Sequence, residues 1–200
     1  IPLVSAPVCL LLRRSLLSWF FAMGVSVATL FMAFTLLMRV VDGGTISYEL
    51  GGWAPPWGIE YRIDLINSFV MLLVSTIGAV VLFYAPPSVA KEIPAEKHYL
   101  FYTAYLLCLT GLLGVAITGD VFNLFVFLEI SALSAYVLIS LGSDRRALTA
   151  AYQYLVMGTL GATFIVIGIG LIYGVTGTLN MADLHDRLDV VGVNRTVLVA

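Results

Sequence analysis

The sequence predicts an all-α polytopic membrane protein whose helices cross the bilayer several times. Of its 200 residues, 60% are hydrophobic and 11% are charged, and the mean hydropathy is +1.02. Nearly all charged residues lie in short segments between long apolar runs. An apolar run of about 20 residues can cross a hydrocarbon core of roughly 30 Å. Because backbone groups in hydrocarbon must bond to one another, such runs form helices.

The apolar runs predict about six to seven transmembrane helices. A connector at residues 42–64 is rich in Gly and Pro, and we expect it to lie outside the membrane. We expect the third run to stop at Pro86 and Pro87, because proline interrupts helical hydrogen bonding. Both ends of the chain fall inside apolar runs, so we expect it to be the N-terminal part of a longer, truncated protein. In order, the runs are Pro2–Leu12, Leu16–Val40, Leu65–Tyr84, Tyr99–Thr118, Val121–Leu141, Leu148–Val175 and one that starts near Thr196.

The Lys and Arg residues predict the orientation. Loops that contain more Lys and Arg residues usually lie in the cytoplasm. One set of loops contains six of them and the other set contains four, together with eight acidic residues. We therefore expect a multi-pass protein of the inner (plasma) membrane with the richer set in the cytoplasm. That set comprises Arg13, Arg14, Lys91, Lys97, Arg145 and Arg146, and the other comprises Arg39, Arg62, Arg187 and Arg195.

Glu129 is the main candidate functional residue. It is the one charged residue in Val121–Leu141, and it lies about 13 Å from Asp120 along a helix. A carboxylate near the bilayer centre is unfavourable by roughly 3 kcal/mol, and such groups usually line ion or proton paths. Its own helical face is apolar apart from Tyr136, so a polar partner must come from another helix. We interpret Glu129 as a proton-relay residue. The alternative is a neutral structural glutamate bonded to a neighbouring helix.

Asp120 and Asn123 are weaker candidates at the start of the same helix. An aspartate at a helix N-terminus ordinarily caps the helix. The alternative is a position at the entrance of an ion path. The sequence alone leaves both interpretations open.

Other polar or small residues have ordinary structural interpretations. We expect His98 to be a solvated boundary residue, and Asp183–Asp186 to form an exposed acidic loop or a short amphipathic helix. Gly158 and Ala162 share a helix face, which favours close helix packing. The two cysteines lie in apolar runs and are expected to act as small hydrophobic residues. We predict no metal, no cofactor and no nucleic-acid partner.

Residues 118–130 form the string Thr-Gly-Asp-Val-Phe-Asn-Leu-Phe-Val-Phe-Leu-Glu-Ile. Together with three further stretches in the same order, this string closely resembles the D subunit of Mrp-type multisubunit sodium/proton antiporters. That family is related to the antiporter-like subunits of respiratory complex I and of membrane-bound hydrogenases. The further stretches are 49–53 with 58–60, then 151–154, then 177–184.

The resemblance implies a fourteen-helix fold with two inverted five-helix repeats, of which this chain would carry the N-terminal part. Residues 1–98 would contain helices 1–3 with an external connector, and residues 99–200 the start of the first repeat. Glu129 would be the family's essential fifth-helix glutamate. In the family a lysine on the seventh helix controls its protonation, and that lysine would lie beyond Ala200.

The resemblance therefore implies a proton-translocating subunit of a multisubunit Na⁺/H⁺ antiporter, which is an ion transporter subunit and not an enzyme. Its partners would be the other subunits of the complex, H⁺, Na⁺ and the lipid bilayer. Two alternatives stay open. One is a proton-pumping subunit of a complex I or hydrogenase assembly, and the other is a structural membrane subunit without an ion path.

Overall fold

A computed structural model describes residues 1–192 and 194–200 of the chain. These residues form a helical bundle with one small antiparallel sheet at one end. In chain order the elements are α1 (Pro2–Leu12), α2 (Ser15–Gly43), β1 (Ile46–Glu49), β2 (Glu60–Ile63), α3 (Leu65–Glu92), α4 (His98–Ile117), α5 (Val121–Ser140), α6 (Arg145–Thr176), α7 (Met181–Val191) and α8 (Arg195–Val199).

Five of the described helices, α2 to α6, are long and apolar enough to cross a membrane. Their most apolar stretches have a mean hydropathy between 1.9 and 2.3. The predicted runs agree with these helices to within three residues at every end except one, the C-terminal end of α3. The predicted class, an all-α polytopic membrane protein, is confirmed.

The predicted end of the third helix at Pro86 and Pro87 is wrong, because α3 continues through both prolines to Glu92. Pro86 has no N–H to donate to the carbonyl of Leu82, four residues earlier. The indole Nε1–H of Trp19 donates to that carbonyl instead, at 2.9 Å. This polar group therefore keeps a partner inside the bundle, as hydrocarbon requires. Trp19 belongs to α2. The sequence around Pro86 and Pro87 therefore gives no indication of this donor.

The connector between α2 and α3 folds into an antiparallel hairpin, which is absent from the predictions made from the sequence. Ile46 lies opposite Ile63, and Glu49 lies opposite Glu60. Each strand has four residues, which is too short for the alternation of apolar and polar residues to stand out. The apolar runs lie in the flanking helices α2 and α3. The connector stays at one end of the bundle.

The bundle has two ends, which we name by their contents. The arginine end contains residues 13–15, 92–98 and 141–146, where the backbone N–H of Ser143 donates to the carbonyl of Glu92 at 3.0 Å. The hairpin end contains β1, β2 and residues 118–120 and 177–181, which share the hydrogen bonds described below. The connecting segments thus alternate between the ends, in the same two sets as the predicted loops.

His98 is buried at the arginine end and forms hydrogen bonds to two other segments. The prediction of a solvated boundary residue is therefore wrong. Its side chain is 8% exposed, whereas the neighbouring Lys97 is exposed. Nε2 lies 2.9 Å from the carbonyl oxygen of Ile93, and Nδ1 lies 2.9 Å from Oγ of Ser15. Because a carbonyl only accepts, Nε2 carries the hydrogen that points to Ile93. His98 therefore ties the start of α4 to the start of α2.

The largest hydrophobic core lies between α1, α2, α3 and α4, and α4 is the most buried of the spanning helices. Half of its most apolar stretch is buried, compared with 11% for α6. Cys9 is fully buried in this core as a small hydrophobic residue, and Cys9 and Cys108 are free thiols. The core residues come from both sides of the predicted domain boundary at residue 98, and that division stays a prediction. The cluster comprises Ala6, Cys9, Ala22, Val25, Leu82, Ala85, Val89, Ile93, Tyr102, Leu106 and Leu141.

We expect Trp19→Phe to destabilise the bundle by about 1 kcal/mol, because the carbonyl of Leu82 would lose its donor in an apolar environment. The measurement is the melting temperature of the purified protein in detergent. The matched control is Trp57→Phe, because the side chain of Trp57 is 88% exposed. Equal melting temperatures for both variants would contradict a stabilising role for the Trp19 bond.

Candidate functional site

Helix α5, which carries Glu129, begins at a buried capping group. Oδ1 of Asp120 accepts a hydrogen bond from the backbone N–H of Asn123 at 2.7 Å. The side-chain amide of Asn123 donates to Oγ1 of Thr118 at 3.0 Å. A carboxylate at this position satisfies a free N–H group and interacts favourably with the helix dipole. Capping therefore accounts for the geometry of Asp120 and Asn123, and their role at an ion entrance stays a prediction.

The segment before α5 is held on both sides by backbone hydrogen bonds. The N–H of Gly119 donates to the carbonyl of Glu60 at 2.8 Å, and the N–H of Met181 donates to the carbonyl of Gly119 at 2.8 Å. Asp120 and Asn180 form an antiparallel bridge. Residues 118–120 therefore lie between strand β2 and the segment that leads into α7. We call Glu60, Gly119 and Asn180 the hairpin junction.

The carboxylate of Glu60 joins two distant segments of the hairpin junction. Oε1 accepts from the hydroxyl of Ser47 at 2.7 Å, and Oε2 accepts from the side-chain amide of Asn180 at 2.9 Å. The Ser47 hydrogen bond, followed by that from Asn180 and by the charge of Arg62, lowers the pKa of Glu60, and partial burial opposes this shift. These contacts favour the ionised carboxylate.

Three of the four stretches that carry the family resemblance meet at this junction, namely 49–53 with 58–60, 118–130 and 177–184. Glu60 and Asn180 are not among the functional residues predicted from the sequence. The available signal was their position in two of those stretches.

Helices α4 and α5 approach each other closely on the face of α5 opposite Glu129. A Cβ atom on Gly111 would lie 2.6 Å from Cβ of Ser131, and one on Gly114 would overlap the ring of Phe127. Small residues allow such close approach between membrane helices. At about 100° per residue, Glu129 lies roughly 160–200° around α5 from these contact residues. Its side chain therefore points away from the α4 contact.

Glu129 shares its face of α5 with Tyr136, which contacts α6. The hydroxyl of Tyr136 touches Gly158, and its ring lies 4.9 Å from that of Tyr154 in an edge-on arrangement. Gly158 thus receives the tip of the Tyr136 side chain, and the close helix packing predicted for Gly158 and Ala162 stays a prediction. Glu129 itself is half-buried. Among residues 1–192 and 194–200, the one ion pair found joins Asp183 and Arg187. No lysine or arginine in these ranges therefore forms an ion pair with Glu129.

Helix α8 packs against α6 at the depth of Glu129. Glu129 lies nine residues from the cap Asp120, and Gly168 lies nine residues from the cap Gly177, so both are about 13 Å below the hairpin end. A Cβ atom on Gly168 would lie 2.7 Å from the carbonyl oxygen of Ala200. The last described residue of the chain therefore reaches the level of the carboxylate.

Residues Asp183–Asp186 lie in the short amphipathic helix α7, which was one of the two predicted alternatives. Oδ1 of Asn180 caps this helix by accepting from the backbone N–H of Ala182 at 3.0 Å. Arg187 pairs with Asp183 at 3.0 Å and donates to the carbonyl of Thr176 at 2.8 Å. Arg187, which is oriented by Asp183, therefore attaches α7 to the end of α6.

One family, described as NADH:quinone oxidoreductase/Mrp antiporter, transmembrane, matches residues 118–199. This range contains Asp120, Asn123 and Glu129. Residues 118–199 thus match the model of this family. Over this range the chain is similar to antiporter-like membrane subunits.

Two relatives and one solved structure show how far the antiporter-like similarity extends. The chain is 47% identical over 152 residues to the N subunit of NADH-quinone oxidoreductase from Desulforudis audaxviator, covering 76% of this chain and 30% of that protein. It is 37% identical over 189 residues to the D subunit of the Na⁺/H⁺ antiporter from Alkalihalophilus pseudofirmus, covering 93% of this chain and 37% of that protein. A chain of the archaeal membrane-bound sulfane sulfur reductase, a respiratory membrane complex, superposes with a TM-score of 0.90 at 34% identity.

That superposition covers 99% of this chain and 40% of the other. The chain thus spans less than half the length of each of these antiporter-like relatives. The similarity to them confirms the predicted relationship to both antiporter and respiratory membrane subunits.

We expect Gly111→Ala to separate α4 and α5, because the new methyl group would overlap the backbone and side chain of Ser131. Overpacking of this kind destabilises by about 1–3 kcal/mol. The measurement is the melting temperature and the yield of folded protein in detergent. Gly161→Ala is the control, since a Cβ atom there meets nothing within 4 Å. Unchanged stability of Gly111→Ala would contradict the close contact.

The hairpin junction should weaken in acid. Because the pKa of Glu60 is lowered in the folded protein, its stabilising effect is complete above the ordinary glutamate pKa and is lost as pH falls through the folded value. We therefore expect Glu60→Gln to lower the melting temperature at pH 7 and to lower it progressively less as the pH falls below the ordinary glutamate pKa of about 4.3. A difference that persists unchanged in acid would show that the charge of Glu60 is not responsible.

Proposed function

We propose that this chain is part of a proton-translocating subunit of a multisubunit monovalent cation/proton antiporter, with Glu129 in the proton path. The observation that carries the proposal is an isolated carboxylate at mid-depth on α5, inside the family's transmembrane region. It points away from the α4 contact and has no cationic partner among residues 1–192 and 194–200. Intramembrane carboxylates of this kind typically serve ion or proton movement.

Glu129 would accept and release a proton as its surroundings change. Hydrocarbon favours the neutral carboxyl group, and a nearby cation favours the carboxylate. A cationic partner that approaches and withdraws therefore switches its proton affinity. The family resemblance implies a lysine on the seventh helix, and α8 reaches the depth of Glu129 along α6, which supports a partner from that side. The hydroxyl groups of Tyr136 and Tyr154 would continue the polar path toward the arginine end.

The arginine end would face the cytoplasm, because its segments contain five of the ten Lys and Arg residues and a sixth, Lys91, directly precedes one of them. The hairpin end would then face outward and hold Asp120 and Asn123 near the external entrance. The subunit would work in the plasma membrane, within a hetero-oligomeric complex that exchanges H⁺ for Na⁺. The similarity to an antiporter D subunit, aligned over 93% of this chain, supports this assignment.

A second candidate function is proton pumping within a redox-driven respiratory complex. It is favoured by the 47% identity to an N subunit of NADH-quinone oxidoreductase and by the TM-score of 0.90 with a respiratory complex. Glu129 would have the same role, and the energy would come from a neighbouring redox module. Copurification with the full-length protein separates the two functions, because only the redox assembly would bring along iron–sulfur proteins.

We expect Glu129→Gln in the full-length subunit to reduce proton-coupled antiport in everted vesicles to the background of vesicles without the subunit. Glutamine keeps the size and hydrogen-bonding groups of the side chain but cannot take up a proton. The control is Glu49→Gln, which removes an exposed carboxylate at the hairpin end. Normal antiport by Glu129→Gln would refute the proposed mechanism. A Glu129→Leu variant that assembles normally would not restore it, because assembly does not report on proton movement.

A further inference from the structure

We propose that Glu60 is a positioning residue for the proton path. Through Gly119 and Asn180, it fixes the start of α5 and therefore the depth and rotation of Glu129. This inference rests on the proposed function of Glu129, and it adds a residue from the connector between α2 and α3. It assigns the hairpin a task in transport, beyond closing one end of the bundle.

Glu60 is the point at which three separate segments are joined. One carboxylate oxygen binds the hydroxyl of Ser47 on β1, and the other binds the amide of Asn180, 120 positions away in the chain. Its backbone carbonyl accepts from Gly119, 59 positions away. One residue thus connects the hairpin to the segments before α5 and before α7 through two of its acceptor oxygens, while its third oxygen binds β1 within the hairpin.

A displacement of Gly119 would be passed directly to α5. Gly119 precedes Asp120, which caps α5, and Glu129 lies on the same uninterrupted helix. The space at this point is tight, because a Cβ atom on Gly119 would lie 3.3 Å from the carbonyl oxygen of Glu60. A regular helix keeps a fixed rise and rotation per residue. A shift of its first residue therefore shifts Glu129 as well.

The contact with Asn180 sets α5 relative to α6. Asn180 is 3% exposed and pairs with Asp120 through the backbone. It follows α6 by four residues, and it caps α7, which is attached to the end of α6 through Arg187. Glu129 lies on the side of α5 that contacts α6. The junction thus orients the two helices that border the carboxylate.

The geometry requires one acceptor and one donor at these two positions, and this requirement allows an exchange test. Glu60→Gln leaves one carbonyl oxygen for two donors. Asn180→Asp keeps an oxygen to cap α7 but places two carboxylates against each other. In the double variant, the introduced glutamine amide can donate to the introduced aspartate, and the net charge equals that of the original protein.

The experiment places Glu60→Gln, Asn180→Asp and the double variant in the full-length subunit within its complex. Hydrogen exchange at the amides of Gly119 and Asn123 reports on the junction, and the pH profile of antiport in everted vesicles reports on Glu129. We expect both single variants to exchange faster and to shift the pH of half-maximal antiport by about 0.5 unit or more. The double variant should return both readouts toward the original values.

Glu49→Gln is the matched control, since Glu49 is exposed, carries the same charge and lies directly opposite Glu60 in the hairpin. It should leave both readouts unchanged. If Asn180→Asp reduces the amount of protein in the membrane, the test is the comparison of Glu60→Gln with Glu49→Gln in both readouts. Faster exchange without a shifted pH profile would overturn the positioning role, as would a double variant that does not recover.

The two proposals fail in different ways. Antiport retained by Glu129→Gln overturns the proposed function, whatever the exchange rates show. Antiport lost with Glu129→Gln but unshifted in pH dependence by Glu60→Gln upholds the proton path and overturns the role of Glu60.

Discussion

The structure depends on one physical constraint: polar groups inside a hydrocarbon layer need internal partners. Most of the chain meets this constraint through helical backbone bonds. Where Pro86 breaks the pattern, the indole of Trp19 supplies the missing donor. Buried Ser75 and Thr110 donate to carbonyls one turn earlier on their own helices. Glu129 departs from this rule, because it is half-buried at mid-depth without a cationic partner in the part of the chain that the structure describes.

A related constraint acts at the hairpin end, where polar groups are buried by protein. Buried backbone groups that leave a helix also need partners, and the segments before α5 and α7 pair with each other and with β2. The carboxylate of Glu60 completes this arrangement with the side chains of Ser47 and Asn180. Chain segments separated by more than a hundred positions thereby form one hydrogen-bonded unit. The position of α5 follows from that unit as much as from its apolar packing.

The sequence predicted features that depend on local composition and missed those that depend on distant partners. Hydropathy located the spanning helices to within three residues at most ends, and the contrast of one charge in an apolar run identified Glu129. Local capping likewise explained Asp120. The continuation of α3 past Pro86 required a donor from α2, and the burial of His98 required Ser15 of the neighbouring helix. Glu60 was missed for the same reason, because nothing local marks its bond to Asn180.

The two neighbours of α5 differ in how firmly they hold it, and this difference indicates where change around Glu129 can occur. Toward α4, Gly111 allows backbone contact that leaves no room for even a methyl group. Toward α6, contact is made through the tip of Tyr136, whose hydroxyl touches Gly158. A closely packed interface resists small displacements, whereas a contact through the tip of one side chain can change when that side chain rotates. Rearrangements that alter the surroundings of Glu129 should therefore involve α6 and α8, while α4 and the hairpin junction keep α5 in place.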